Sequence, residues 1–174
     1  MAARQTLRCL CVGESKRNMK TELIQVGKTA DRHFMAGIDD YVARVSHYMP
    51  FGITTVAELK NTKSLSEQQQ KEREGEMILK LVKPADYVVL LDERGAEMTS
   101  VDFAAWMEKQ RHASRRLVFV IGGPYGFSSA VYDRADMKLS FSKMTFSHQM
   151  IRLIFAEQLY RACTIIKGEP YHHS

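Results

Sequence analysis

The sequence predicts an α/β fold: one parallel sheet covered by helices on both faces. Three observations lead there. Short apolar runs alternate with longer segments whose apolar residues recur every three or four positions, the pattern of strands and helices in turn. Two runs, YVVLL at 87–91 and LVFVI at Leu117–Ile121, are apolar at every position, as in strands buried on both faces. The chain has 174 residues, 45% hydrophobic and 26% charged, which suits one soluble α/β domain with a sizeable core.

The elements follow in order. Thr21–Val26 reads as the first strand, closed by Gly27. A helix is predicted over about 31–48, with Phe34, Ile38, Tyr41, Val42 and Val45 on one face, ended by Pro50 and Gly52. Residues 53–59 read as the second strand. Ser64 and Glu67 have capping-box spacing before a helix of about 65–82. Its first half, 67–76, is almost wholly polar and is expected to be a solvated face. The third strand, 87–91, leads into a charged loop over 92–98. Ser100 is the expected cap of a helix reaching about His112. After the fourth strand, Leu117–Ile121, Ser128 and Ser129 offer caps for a short helix over 130–135. A short strand at 137–141 and a helix over 149–167 complete the series, and Gly168 stops that helix. Residues 1–18 read as a disordered N-terminal extension, and 19–174 as a single domain.

Composition excludes several classes. No apolar run approaches the roughly 20 residues of a membrane span. No signal-peptide core is present, and Cys9, Cys11 and Cys163 form neither a metal-spaced set nor a disulfide framework, so a reduced, cytoplasmic protein is expected. The net charge is +5. More than half of it lies before Met19, where Arg4, Arg8, Lys16 and Arg17 face only Glu14. The remaining chain is mildly basic, and its charge alone identifies no nucleic-acid binder.

The chemistry concentrates between Leu117 and His148. The run of the fourth strand stops on Gly122-Gly123-Pro124-Tyr125-Gly126. Glycines after a strand let a ligand approach backbone N–H groups. The loop is neither a P-loop nor a dinucleotide fingerprint: no Gly-Lys-Ser/Thr follows, and the glycine spacing differs. The next strand ends in Ser142-Lys143-Met144-Thr145-Phe146, a loop without helical or strand period. The fourth and fifth strands are expected to lie side by side, with a ligand bound beyond their carboxyl ends. His148 is either a cap or core residue of the last helix or a hydrogen-bonding group beside the ligand. His172 and His173 lack a third metal ligand, Ser128 and Ser142 lack a nucleophile elbow, and no two carboxylates are paired by spacing. The residues alone reach a nucleotide-like crevice between two late loops.

Together, GGPYG, LSFSKMTFSHQMIRLIFAEQLYRA and the terminal GEPYHH resemble a bacterial family of 23S ribosomal RNA methyltransferases of the SPOUT class, from Met19 onward. The resemblance implies S-adenosylmethionine as methyl donor and N3 of a pseudouridine in a 23S rRNA hairpin, on the ribosome, as target. It implies a C-terminal trefoil knot, otherwise near-absent among folds, and a homodimer joined through the C-terminal region. It places Leu91, Gly122, Phe141, Ser142, Lys143, Met144, Thr145 and Phe146 around the methyl donor. His148 becomes a candidate proton acceptor, and Tyr171, His172 and His173 candidate substrate contacts; no metal is implied. Two positions depart from the family: Ser147 stands where proline is usual, and His173 where Arg or Lys is usual. A second functional class, a non-enzymatic ribosome-binding or assembly factor with a degenerate pocket, is opposed by the intact glycine loop and FSKMTF.

Overall fold

The computed structural model describes residues 19–113 and 116–172. The expectations for residues 1–18 and for His173 lie outside that span. The described elements are β1 (Thr21–Val26), α1 (Arg32–Ser46), β2 (Phe51–Val56), α2 (Glu67–Leu79), β3 (Tyr87–Glu97), α3 (Ser100–Arg111), β4 (Leu117–Ile121), α4 (Ser129–Arg134), β5 (Met137–Ser140) and α5 (Met150–Lys167), with a 3-10 turn at Thr62–Ser64. The five strands form one parallel sheet in the order β2-β1-β4-β3-β5.

The two faces separate along each strand. Leu117, Phe119 and Ile121 of β4 join a core with Val45 of α1, Phe103 and Met107 of α3, and Phe155 and Leu159 of α5. Val118 and Val120 point the other way, into a core with Ile78 of α2 and Val131 of α4. A strand sandwiched in this way must be apolar throughout, which explains LVFVI. Phe155 is the centre of the first core. It has no exposure, and its ring lies 4.7 Å from that of Phe119. Burying such a side chain contributes about 1.5–3 kcal/mol. Among the described residues no helix is long and apolar enough to cross a membrane.

Several details differ from expectation, each for a local reason. β4 and β5 are not neighbours, because β3 lies between them. β2 starts at Phe51, with Gly52 inside it, because Thr21 pairs opposite Phe51 and Val26 opposite Val56; β1 offers no partner further on. The capping box of α2 is formed by Ser66 and Gln69, two residues later than the spacing suggested. Thr99, not Ser100, caps α3, accepting from the Asp102 N–H. The polar half of α2 is not wholly solvated either. Glu74 is 3% exposed, and Gly75 beside it is buried.

The largest departure is β3, which does not end at Leu91. Leu91 pairs with Leu139, residues 92–95 swing out, and Ala96 returns to the same Leu139 before Glu97 meets Ser140. Gly95 makes this possible. A Cβ there would lie 2.5 and 2.6 Å from backbone C and N of Leu139, so only glycine lets the excursion rest on β5.

Candidate methyl-donor cleft

The site lies at the carboxyl edge of β4, β3 and β5. Beyond β4 the chain makes a tight turn. Gly126 has a φ of +83° and its N–H donates to the Gly123 carbonyl at 3.1 Å. A Cβ on Gly122 would lie 3.1 Å from the Phe127 ring and 3.2 Å from the Gly126 carbonyl oxygen. The glycine is therefore demanded by the packing of the turn itself, as well as by any close ligand. Gly123 faces the opposite way, toward the buried Glu74 carboxylate of α2.

Beyond β5 the chain is held by short-range bonds. The Ser140 hydroxyl donates to the Ser142 carbonyl at 2.8 Å, and the Met144 N–H donates to Ser142 Oγ at 2.9 Å. Phe141 is anchored in the core against Phe103, with centroids 6.1 Å apart. The rest of the loop turns apolar side chains outward: Met144 is 76% exposed and Phe146 42%, and Tyr125 of the glycine turn is 46% exposed. Large exposed apolar groups gathered on one lip are the mark of a binding edge.

Between these loops and the end of β3 lies a cleft of about 570 Å³. That is within the roughly 300–1,000 Å³ typical of small-ligand sites. Leu91, Gly122, Phe141, Ser142, Met144, Thr145, Phe146 and His148 all line it. Lys143 is exposed and does not. Tyr171 and His172 are not brought to the cleft. Tyr171 packs edge-on against Tyr160, 4.8 Å away, and lies 3.3 Å from both the Tyr41 hydroxyl and Glu157 Oε1, on the α1–α5 side.

His148 sits at the cleft wall, just before α5. The bond that caps this helix comes from its neighbour: Ser147 Oγ accepts from the Met150 N–H at 3.2 Å. Burial lowers the His148 pKa below 6.5, and the Arg152 guanidinium lowers it further against an opposing pull from Glu58. The neutral imidazole, with a lone pair available, is thus favoured over the cation. Arg152 is fully buried and clamps α5 to the end of β1, donating to the Val26 carbonyl at 2.5 Å and to Thr29 Oγ1 at 3.0 Å. Gln149 adds to the clamp by accepting from the Ala30 N–H at 2.9 Å.

Four polar side chains at this edge have no distinctive sequence pattern. Asp92, Tyr132 and Lys71 line the cleft, and Glu74 stands behind Gly123. Asp92 directly follows the apolar run that stops at Leu91, and nothing else in the sequence sets it apart. Lys71 and Glu74 are hidden in a charge run that looks like solvated surface. Two carboxylates also influence one another, contrary to the spacing argument: burial raises the Glu74 pKa, the Gln70 hydrogen bond opposes it, and the charge of Glu58 adds a smaller upward push.

Comparison with known proteins agrees with this architecture. A family model described as "Predicted SPOUT methyltransferase" matches residues 19–172. Proteins named ribosomal RNA large subunit methyltransferase H are similar over 156 residues, 89% of this chain and 99% of theirs: 61% identical in Bacteroides fragilis, 58% in Phocaeicola vulgatus and 53% in Christiangramia forsetii. A probable methyltransferase from Bordetella pertussis Tohama I shares the fold, with a TM-score of 0.53 over 83% of this chain and 95% of that one, at 8% identity. With its parallel sheet, its late glycine turn and a family match over nearly all its described residues, the chain belongs to the SPOUT methyltransferase family.

Proposed function

We propose that the protein transfers a methyl group from S-adenosylmethionine to N3 of a pseudouridine in a 23S rRNA hairpin, on the ribosome and in the cytoplasm. The observation that carries the reading is the convergence of Leu91, Gly122 and the 141–146 loop in one cleft, with His148 on its wall. Relatives at 53–61% identity bear the name of a large-subunit rRNA methyltransferase, which supports the substrate class. The cleft fits the donor: apolar Leu91, Phe141, Met144 and Phe146 offer a flat adenine contact, and the glycine turn exposes backbone beside it.

The bound donor would supply a methyl group already activated on a sulfonium. The chain must align donor and base, exclude water and accept the imide proton. Alignment falls to the glycine turn and the 141–146 loop, and positioning of this kind can lower a barrier by roughly 7–11 kcal/mol. We assign the proton to a ring nitrogen of His148, whose neutral form burial favours and which lines the cleft. Tyr171 and His172, away from the cleft, are assigned to contacts with RNA outside the transfer centre.

The same reading includes a homodimer joined through the C-terminal region and a C-terminal trefoil knot. Half-buried Ile151, Leu153, Ile154 and Ile166 on α5 support the first. The family membership of the chain supports the second. A mass map of modified 23S rRNA nucleotides, from cells with and without the gene, tests the function. Loss of one methyl group from a pseudouridine is expected; an unchanged map would refute it. Sedimentation at micromolar concentration should give a dimer, and a single species near 20 kDa would remove that part.

A further inference from the structure

The cleft is polarised across the sheet. Its β5–α5 end carries no Lys, Arg, Asp or Glu side chain: Phe141 and Ile151, packed on the core shared by α1, α3 and α5, line it together with Ser142, Thr145 and His148. Its other end opens toward α2 and α4, and there the charged side chains gather. Lys71 of α2 is half-buried, lines the cleft and is paired with no carboxylate among the described residues. Asp92 also lines it and is held on both oxygens: Oδ1 accepts from the Arg94 N–H at 2.8 Å and Oδ2 from the Tyr132 hydroxyl at 2.5 Å. Tyr132 is itself fixed, edge-on to Phe127 at 5.7 Å. Glu93 and Arg94 lie 4.0 Å apart and offset one another at the exposed rim, and Lys138 Nζ lies 5.7 Å from the centre of the Tyr132 ring.

The glycine turn sits between these two ends. Lys71 is one helical turn before Glu74, which abuts Gly123, and Tyr132 is on α4, whose first residues abut Gly75 of α2. One unpaired cation and one pre-oriented carboxylate thus line the same cleft, carried or held by two helices that pack on each other. A ligand end that satisfies both carries both charges. An α-amino acid does so: its carboxylate meets Lys71 and its ammonium meets Asp92. A polyphosphate would meet the carboxylate unfavourably, and a neutral nucleoside would leave the lysine unused.

We propose that Lys71 and Asp92 form a two-point subsite for the zwitterionic amino-acid end of the methyl donor, with Tyr132 as the positioning residue that aims Asp92. This rests on the methyl-donor reading above and adds residues and orientation to it. The donor would lie with its nucleoside toward Phe141 and Phe146 and its amino-acid end toward α2 and α4. Asp92 has free lone pairs left on both oxygens, so it can accept from an ammonium without losing its present partners.

The test is calorimetry on the full chain with two ligands. S-adenosylhomocysteine carries the amino-acid end; 5′-methylthioadenosine has the same nucleoside without it. Wild type should prefer the former. Lys71→Met and Asp92→Asn should each weaken S-adenosylhomocysteine roughly ten-fold or more, the scale of one charge-assisted contact, and leave methylthioadenosine unchanged. Tyr132→Phe should give a smaller loss with the same selectivity, which a merely structural hydroxyl would not. Equal losses for both ligands would mean that Asp92 holds the ribose or only shapes the excursion, and would overturn the subsite. Unchanged affinities would overturn it too. If wild type binds neither ligand, the methyl-donor reading falls first and the subsite with it. Asp92→Asn preserves shape and one acceptor, and melting curves confirm that the variants compared are folded.

Discussion

Gly123→Ala offers the sharpest check on how the cleft is built. The added methyl would lie 3.0 Å from Glu74 Cδ and 3.1 Å from Oε1, and closer still to Oε2, where ordinary contact begins at 3.4 Å. The carboxylate is restrained, although Oε2 itself makes no hydrogen bond among the described residues. It is 3% exposed, sits beside buried Gly75, and its Oε1 accepts from Gln70 Nε2 at 3.1 Å. Either the Glu74 side chain must give up that bond or α2 or the turn must shift. Overpacking of this kind costs about 1–3 kcal/mol, which for a chain of this size lowers the melting temperature by roughly 2–4 °C per kcal/mol. Ligand affinity should fall as well, because the turn that moves is the cleft wall. Truncating the obstacle should reverse the effect: in Glu74→Ala the same Gly123→Ala change should cost little. Urea denaturation of the four proteins at one fixed concentration gives the coupling energy. A value of at least about 1 kcal/mol is expected between groups in direct contact. Additive single and double variants would show that Glu74 does not occupy the space behind the turn.

Four further outcomes follow from the same geometry. His148→Ala should slow single-turnover methylation roughly 100-fold, the scale of a lost general base, with little change in melting point, since Ser147 supplies the cap; full turnover would remove the histidine from the chemistry. Because the His148 pKa is lowered, wild-type turnover should hold through neutrality and fall only below pH 6.5, and a midpoint above that value would contradict the burial argument. Glu74→Gln imitates the protonated acid that burial favours. The folded pKa exceeds the unfolded one, so wild type is relatively most stable at low pH and loses that advantage as pH rises. The variant should therefore melt like wild type near pH 4 and higher at pH 8, and a difference independent of pH would refute the desolvation of Glu74. Ser147→Ala should cost about 0.5–2 kcal/mol, as loss of a helix cap does, readable in the same melts.

Much of the fold is legible in the sequence because local physics and tertiary packing agree. The first half of β3 and all of β4 follow from apolar runs, and α1, α3 and α5 from their apolar spacing. Gly27, Gly126 and Gly168 mark stops because each adopts a positive φ. The GGPYG and FSKMTF stretches mark the cleft by their residues alone, since neither can be a regular element. Only the tertiary structure decided the rest. Strand order is set by which faces can be covered together, and no local pattern says that β3 separates β4 from β5. The β3 excursion reads as a charged loop because its pairing partner is more than forty residues away. Lys71 and Glu74 look like any solvated charges on a polar helix. What singles them out is the turn packed against that helix, where Gly123 leaves room for one carboxylate and the cleft takes up the neighbouring cation. A side chain's environment is a property of what folds over it, and a sequence window contains only its own half of that contact.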